Sequence, residues 1–229
     1  LGTFGAARLI LPEPLAYGLA LGGIWAMQRE RWLWGALLFA LAALAKETTL
    51  IIAGVYGLQL LYQRNYRTLL AYSGIILIPF GIWQMMLYVN FGTFGIGSGG
   101  ALATSFEIIP FVGVWRILIE GGWQIFAVMM VILLPFVLVP TLWGLWRGWQ
   151  DYRNKRWTTN TLLLTAHALV MLFVPFSTYR EPLGILRFIV GLQIAVILYA
   201  AERRKLRVLR NATIWMVALL FLFPSDFNG

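Results

Sequence analysis

Apolar runs long enough to approach a bilayer's thickness recur along this chain, and the links between them, all but one short, alternate in charge. Such runs lie at Glu13 to Gln28, Trp32 to Ala45, Thr49 to Tyr62, Thr68 to Val89, Gly122 to Trp146, Thr158 to Phe176, Pro182 to Ala200 and Ala212 to Phe223. A helix needs ~20 apolar residues to cross a hydrocarbon core, and the second, third and last runs are the shortest of the set. Lipid-exposed backbone must satisfy its own hydrogen bonds, so the expected fold is all-α, a polytopic transmembrane bundle of about eight spans. Composition agrees: 60% of residues are hydrophobic and only 12% charged. The mean hydropathy is +0.78, outside the range of a soluble domain.

Thirteen of the eighteen Lys and Arg residues fall in every second link. They are Arg29 and Arg31; Arg64 and Arg67; Arg147, Arg153, Lys155 and Arg156; and Arg203, Arg204, Lys205, Arg207 and Arg210. The positive-inside rule places those links in the cytoplasm, which puts both chain ends outside. Trp32, Trp34, Tyr62, Tyr66, Trp146, Trp149 and Trp157 cluster at the same side as interfacial anchors. The net charge of +9 then reports topology and anionic lipid at the inner leaflet rather than nucleic acid. The chain opens on Leu1 without a signal-peptide layout and reads as a single transmembrane domain over residues 1–229, a fragment lacking an upstream span and exterior loop. Without Cys there are no disulfides or thiolate sites, and a single His argues against an imidazole-built zinc site.

The long connection from Asn90 to Gly121 is the one large segment left outside the spans. Its first half is rich in Gly and Ser and reads as a loop; Gly95, Gly97 and Gly100 match GxGxxG without the βαβ context that gives that pattern meaning. Its second half groups Ile108, Phe111, Trp115, Leu118 and Ile119 on one side of a helix, with Arg116 and Glu120 elsewhere, as an interfacial helix would. A re-entrant or badly bounded span is the alternative.

The remaining basic residues, Arg8, Lys46, Arg116, Arg180 and Arg187, share the outer side with six acidic residues, Glu13, Glu47, Glu107, Glu120, Glu181 and Asp226. Charge near a membrane is costly unless paired or used. Lys46-Glu47-Thr48 interrupts two apolar runs with almost no loop. A tight turn there aims an ammonium, a point-charge ligand for phosphate, at any lipid-side cavity; alternatively Thr48 caps a helix and Lys46 snorkels. Arg180 and Arg187 lie seven apart around Tyr179, Glu181 and Pro182, so a helix beginning near Glu181 would let them share a face. Arg187 is inside an apolar run and needs an anion, either a phosphate or a carboxylate such as Glu47 or Glu13. Arg8 precedes Leu11-Pro12-Glu13-Pro14, where Pro14 suits a helix start and Glu13 meets its positive end, as a structural carboxylate or as an acid/base or hydroxyl ligand. His167 falls near the middle of its span, where an interhelical hydrogen bond is the expectation over a proton relay.

The stretch LPEPLAYGLALGGIWAMQRERWLWGALLFALAALAKETTLII, with helix, short basic turn, helix and KET junction, resembles the middle of GT-C type polytopic glycosyltransferases. YREPLGILRFIVGL resembles a late segment of bacterial members. The resemblance covers Arg8 to Arg67 and Tyr179 to Arg204. It implies transfer of a sugar from a polyprenyl-phosphate donor to a glycan, lipid or protein acceptor at the extracytoplasmic face of a bacterial plasma membrane, usually with inversion, in cell-envelope glycan or glycoprotein synthesis. It implies donor-phosphate roles for Lys46 and for Arg180 or Arg187, with Arg8, Thr48, Tyr179 and Glu181 in support. The family's catalytic carboxylate, base or metal-associated, belongs to a first exterior loop upstream of the matched region. It is not carried over to Glu13 or Glu47, which remain supporting carboxylates, and any divalent metal would be held mainly by residues outside this chain. The competing readings are a transporter or flippase for a lipid-linked or anionic solute, and an assembly subunit without chemistry of its own.

Overall fold

A computed structural model describes residues 12–96, 104 and 106–217. All regular structure among the described residues is helical. They divide into two compact units, within Leu11–Leu102 and within Ala103–Gly229.

In the first unit, α1 (Glu13–Gln28) and α2 (Trp32–Ala45) form a tight antiparallel pair, followed by a 3-10 turn (Glu47–Thr49), α3 (Leu50–Tyr62) and α4 (Tyr66–Phe91). Small residues set the α1–α2 distance. A Cβ on Gly23 would lie 2.6 Å from the Phe39 ring and one on Gly35 2.6 Å from the Met27 sulfur, so backbones that close admit nothing larger. Phe39 then packs against Tyr56 and Tyr72, with ring centroids at 5.6 and 6.3 Å. The Tyr72 hydroxyl, carried into this apolar interior, donates to the Ala53 carbonyl at 2.8 Å. α4 starts at Asn65, whose side chain accepts from the Thr68 amide, and stops at Gly92, φ 72°, the left-handed conformation that glycine adopts without cost.

In the second unit, α5 (Val112–Leu133), a π-helical stretch (Leu134–Leu138) and α6 (Val139–Arg153) run on from one another. Pro135 and Pro140 account for the irregular turn, since neither ring nitrogen can donate to the helix ladder. α7 (Thr159–Leu172) returns, capped by Thr158, and is followed by two short helices, α8 (Phe176–Arg180) and α9 (Pro182–Phe188), and by α10 (Val190–Glu202), α11 (Leu206–Ala212) and α12 (Ile214–Val217). α6 and α7 approach closely where Gly148 faces Thr165 and Gly144 faces Leu164 and Ala168. At one end of this unit Asp151 is buried but satisfied: it accepts from Thr161 Oγ1 at 2.8 Å and from Arg203 Nη2 at 3.0 Å. Those bonds tie α6, α7 and the end of α10 together.

Two helical stretches, Tyr66–Phe91 and Val112–Arg153, are long and apolar enough to cross a membrane. Their outward surfaces fit that solvent. In the first unit Leu70, Ile78, Ile82 and Val89 of α4 are exposed, and in the second Ile125, Val128 and Val131 of α5, apolar surface on each helix of a kind that water would drive to aggregate.

The four basic links share a backbone device that their composition does not announce. Glu30, Arg64, Lys155 and Arg204 all have positive φ, between 51° and 60°. At each, the residue's own amide donates to the carbonyl three residues back and the next amide donates five back: Glu30 to Met27 and Arg31 to Ala26, Arg64 to Leu61 and Asn65 to Leu60, Lys155 to Tyr152 and Arg156 to Asp151, Arg204 to Ala201 and Lys205 to Ala200. This is the left-handed helix stop usually given to glycine. Three of the four positions carry a cation, placed where a helix C-terminus is negative.

The helix expected in the second half of the long connection is present, set off by a break from the helix that follows. Gly122, at φ 76° and ψ 173°, breaks α5, so the turns over 112–121 point independently of the span that follows. Of the face grouped from sequence, Trp115 and Ile119 are exposed, Phe111 and Leu118 are half-buried and the exposed Ile108 lies before the helix, while Gly113, Val114 and Ile117 are buried. Inside that buried face a Cβ on Gly113 would meet the Tyr179 ring at 2.8 Å. The last expected run begins in α11 and α12, and its remainder lies outside the described residues. So do Gly97 and Gly100 of the GxGxxG match, and the described residues around them hold no strand.

Candidate functional site

In the first unit the KET junction forms a compact ionic cluster with the start of α1. α2 ends at Ala45, Lys46 is extended (φ −155°, ψ 118°), and Glu47–Thr49 makes one 3-10 turn before α3. Thr49 Oγ1 donates to the Lys46 carbonyl at 2.8 Å and fixes that extended residue. Thr48 is no helix cap: its hydroxyl meets the Tyr17 hydroxyl at 3.2 Å, which clamps the turn to α1. Glu13 and Tyr17 are four apart at the start of α1 and therefore on one face.

Lys46 Nζ lies 3.9 Å from Glu13 Oε1 and 3.7 Å from Glu47 Oε1. Both distances exceed a hydrogen bond, so the ammonium is held by charge rather than by directed donation. The environments of the two carboxylates differ. Glu47 is partly open, as is Lys46 with 31% of its side chain exposed. Glu13 is buried at 4% exposure, and its Oε2 has no hydrogen-bond partner. Formal charges in the cluster sum to −1, one ammonium against two carboxylates. Among the described residues no three carboxylate or imidazole groups converge on a metal position. Between Glu13 and Glu47 the ammonium already takes the place a cation would need, so this pair does not fit a metal.

In the second unit, the segment before α5 is strapped to the α7–α8 junction. The Glu107 amide donates to Phe173 O at 2.9 Å and the Phe111 amide to Leu172 O at 2.7 Å. Thr104 and Ser177 exchange reciprocal bonds, each amide donating to the other's hydroxyl at 3.1 Å. Arg116 bonds Glu120 at 2.7 and 2.9 Å and Glu107 at 3.1 Å. Those carboxylates, Glu120 first, hold its guanidinium above the ordinary arginine range. Its guanidinium carbon also lies 4.4 Å from the centroid of the buried Phe176 ring, whose other cationic neighbour, Arg180, is at 5.5 Å.

Arg180 is exposed and, among the described residues, has no ion pair. Tyr179 is buried, its hydroxyl donating to Met171 O, and burial raises its pKa well above the phenol value. It is a packing anchor and not a free acid. Glu181 is the extended break between α8 and α9 (φ −97°, ψ 112°). Arg180 and Arg187 therefore belong to different helices and do not share the face expected from their spacing; Pro182, which cannot continue the preceding ladder, is the cause. Arg187 makes no ion pair with any described residue, and its Nε is buried without a hydrogen-bond partner. Glu13 and Glu47, the carboxylates offered to it from sequence, are neighbours of Lys46 within the first unit. Arg8 lies outside the described residues.

His167 also departs from expectation. Its Nδ1 donates to Leu163 O of the same helix at 2.9 Å, and Nε2 has no partner. The carbonyl one turn back is closer to hand than a neighbouring helix. Tyr17 was missed in the sequence, although the Glu13/Tyr17 spacing was the signal available. Compared with protein-family models, with curated proteins and with solved structures, the chain matches none.

Proposed function

We propose that this chain is the membrane part of a glycosyltransferase that moves a sugar from a polyprenyl-phosphate donor to an acceptor at the extracytoplasmic face. In this reading the apolar helices form about eight spans in a bacterial plasma membrane, with the four basic links in the cytoplasm. One observation carries the reading: Lys46 puts a half-open ammonium beside apolar helices, on a backbone that Thr49 fixes and a turn that Thr48 and Tyr17 tie to α1, and the ammonium is hydrogen-bonded to neither neighbouring carboxylate. A cation so placed can exchange a loose ion pair for a lipid phosphate. When the bond from the anomeric carbon to the phosphate oxygen breaks, negative charge collects on the departing polyprenyl phosphate, and a preorganised ammonium stabilises it most where water is sparse. The acceptor hydroxyl attacks that carbon and gives its proton to a carboxylate base supplied by an exterior loop, as the GT-C resemblance implies. Arg187, with an unpartnered buried Nε, is an anion ligand of the second unit.

The test is sugar transfer from a labelled polyprenyl-phosphate donor in membranes containing the natural full-length protein. Lys46→Ala is expected to reduce turnover 100-fold or more, about 2.7 kcal/mol of transition-state stabilisation, with membrane insertion unchanged. Turnover equal to wild type rejects the reading.

A transporter for a lipid-linked or anionic solute is the second reading. Broken helices and a polar interior favour it: the π-helical stretch, the Glu181 break, and the buried, unpartnered Thr141 Oγ1, His167 Nε2 and Gln193 Nε2 of the second unit. It predicts substrate-dependent flux across sealed vesicles without sugar transfer, lost in His167→Ala.

A further inference from the structure

Glu13 does more than balance Lys46. As a counterion it is superfluous, because Glu47 already lies at 3.7 Å from the same ammonium. It is also poorly placed to neutralise that charge, since 3.9 Å is beyond hydrogen-bond reach, and Oε2 points at no donor while almost fully buried. An ionised carboxylate is an acceptor only, with room for several donors, and leaving one oxygen empty out of water is costly. α1 nevertheless sets its place, at the helix start after Pro12 and one turn from the Tyr17–Thr48 clamp. A buried acceptor with spare capacity, next to a half-open ammonium, fits a ligand that carries an anion and a hydrogen-bond donor close together. A sugar phosphate has that pattern, since the hydroxyl on the carbon adjoining the anomeric centre sits beside the phosphate oxygen.

We propose that Glu13 is the sugar-reading residue of the donor site: its free oxygen accepts a ring hydroxyl of the sugar whose phosphate lies on Lys46. The proposal rests on the donor-phosphate reading of Lys46 and adds selection between glycosylated and bare polyprenyl phosphate. The selection follows from charge. A bare phosphate meets Lys46 and is repelled by Glu13, whereas a glycosylated phosphate offsets the repulsion with a charge-assisted hydrogen bond. The carboxylate would thereby favour the sugar-bearing donor and expel the spent lipid after transfer.

Binding of decaprenyl phosphate and of a panel of decaprenyl-phosphoryl hexoses and pentoses to the full-length protein in nanodiscs tests this. Lys46→Ala should weaken both kinds of lipid about tenfold or more. Glu13→Gln, isosteric and uncharged, should weaken the best-bound glycosylated lipid about tenfold while the bare phosphate binds as tightly as before or more tightly. Glu13→Asp, which keeps the charge but withdraws the oxygens by a methylene, should weaken the glycosylated lipid without any gain for the bare one. Glu13→Gln that shifts both lipids equally, or neither, overturns the sugar-reading role while leaving Lys46 its own. Wild type that binds neither lipid, or Lys46→Ala that changes neither, overturns the donor-phosphate reading and this proposal with it.

Discussion

At the scale of single residues the account turns on Lys46, an ammonium flanked by two carboxylates and hydrogen-bonded to neither. Lys46→Arg is expected not to rescue Lys46→Ala, because a guanidinium fork is longer and would reach Glu13 bidentately and close the place kept for a ligand; transfer by the arginine variant at more than about a tenth of the wild-type rate would contradict this. Arg116 behaves oppositely. Its pKa is raised by the hydrogen bonds it donates to Glu120 and then to Glu107, so the stability it adds is fully present below the ordinary arginine pKa and is lost only in strong alkali. No pH dependence between about 5 and 9 should trace to that group, which comparing Arg116→Gln with wild type over that range by thermal melting would check. Much of this was legible in sequence. Pro12, Glu13 and Pro14 mark a helix start, and a KET triplet between apolar runs can only be a tight charged turn. The pairing of Tyr17 with Thr48 was not legible, since it depends on how α1 lies along α2, which Gly23, Gly35 and their alanine neighbours decide by close contact.

Among elements, helices were easier to read than their stops. α1 and α2 have the bounds of their apolar runs, because short polar links leave a boundary little freedom. The stops at Glu30, Arg64, Lys155 and Arg204 use left-handed backbone without glycine, so no glycine signal marked them, and the charge of those links concealed a shared geometry. Arg64→Gly should therefore stabilise the α3–α4 hairpin by about 1 kcal/mol, read as a higher melting temperature in detergent; a lower one would mean that Arg64 makes a contact worth more than its backbone strain. Gly113→Ala should do the reverse. Its Cβ would come within 2.8 Å of the Tyr179 ring and 3.2 Å of the Val174 carbonyl, and overpacking of that kind costs about 1–3 kcal/mol. The same substitution should loosen the Arg116–Phe176 contact and expose Tyr179, visible as increased tyrosine quenching. The seven-residue spacing of Arg180 and Arg187 misled for a physical reason: a shared face requires one helix, and the chain breaks between them at Glu181.

For the whole molecule, the sequence foresaw an all-helical chain, and the described residues bear that out, with two helical stretches long and apolar enough to cross a membrane. Short helices such as Trp32–Ala45 cannot be assigned as spans by length, because 14 residues at about 1.5 Å each fall short of a ~30 Å hydrocarbon core. The proposed topology has a direct check, since the chain has no Cys. Single cysteines at Arg31, Lys155 and Arg204 should resist an impermeant maleimide applied outside intact cells, while cysteines at Glu47 and Glu120 react. The central claim, that Lys46 holds a lipid phosphate, is tested most directly by weighing what the protein keeps. Wild type and Lys46→Ala, purified identically in mild detergent, are extracted and their polyprenyl phosphates and sugar-phosphate lipids quantified by mass spectrometry. The account predicts co-purifying lipid in wild type and at least a roughly tenfold loss in the variant; equal amounts in both, or none in wild type, would contradict it.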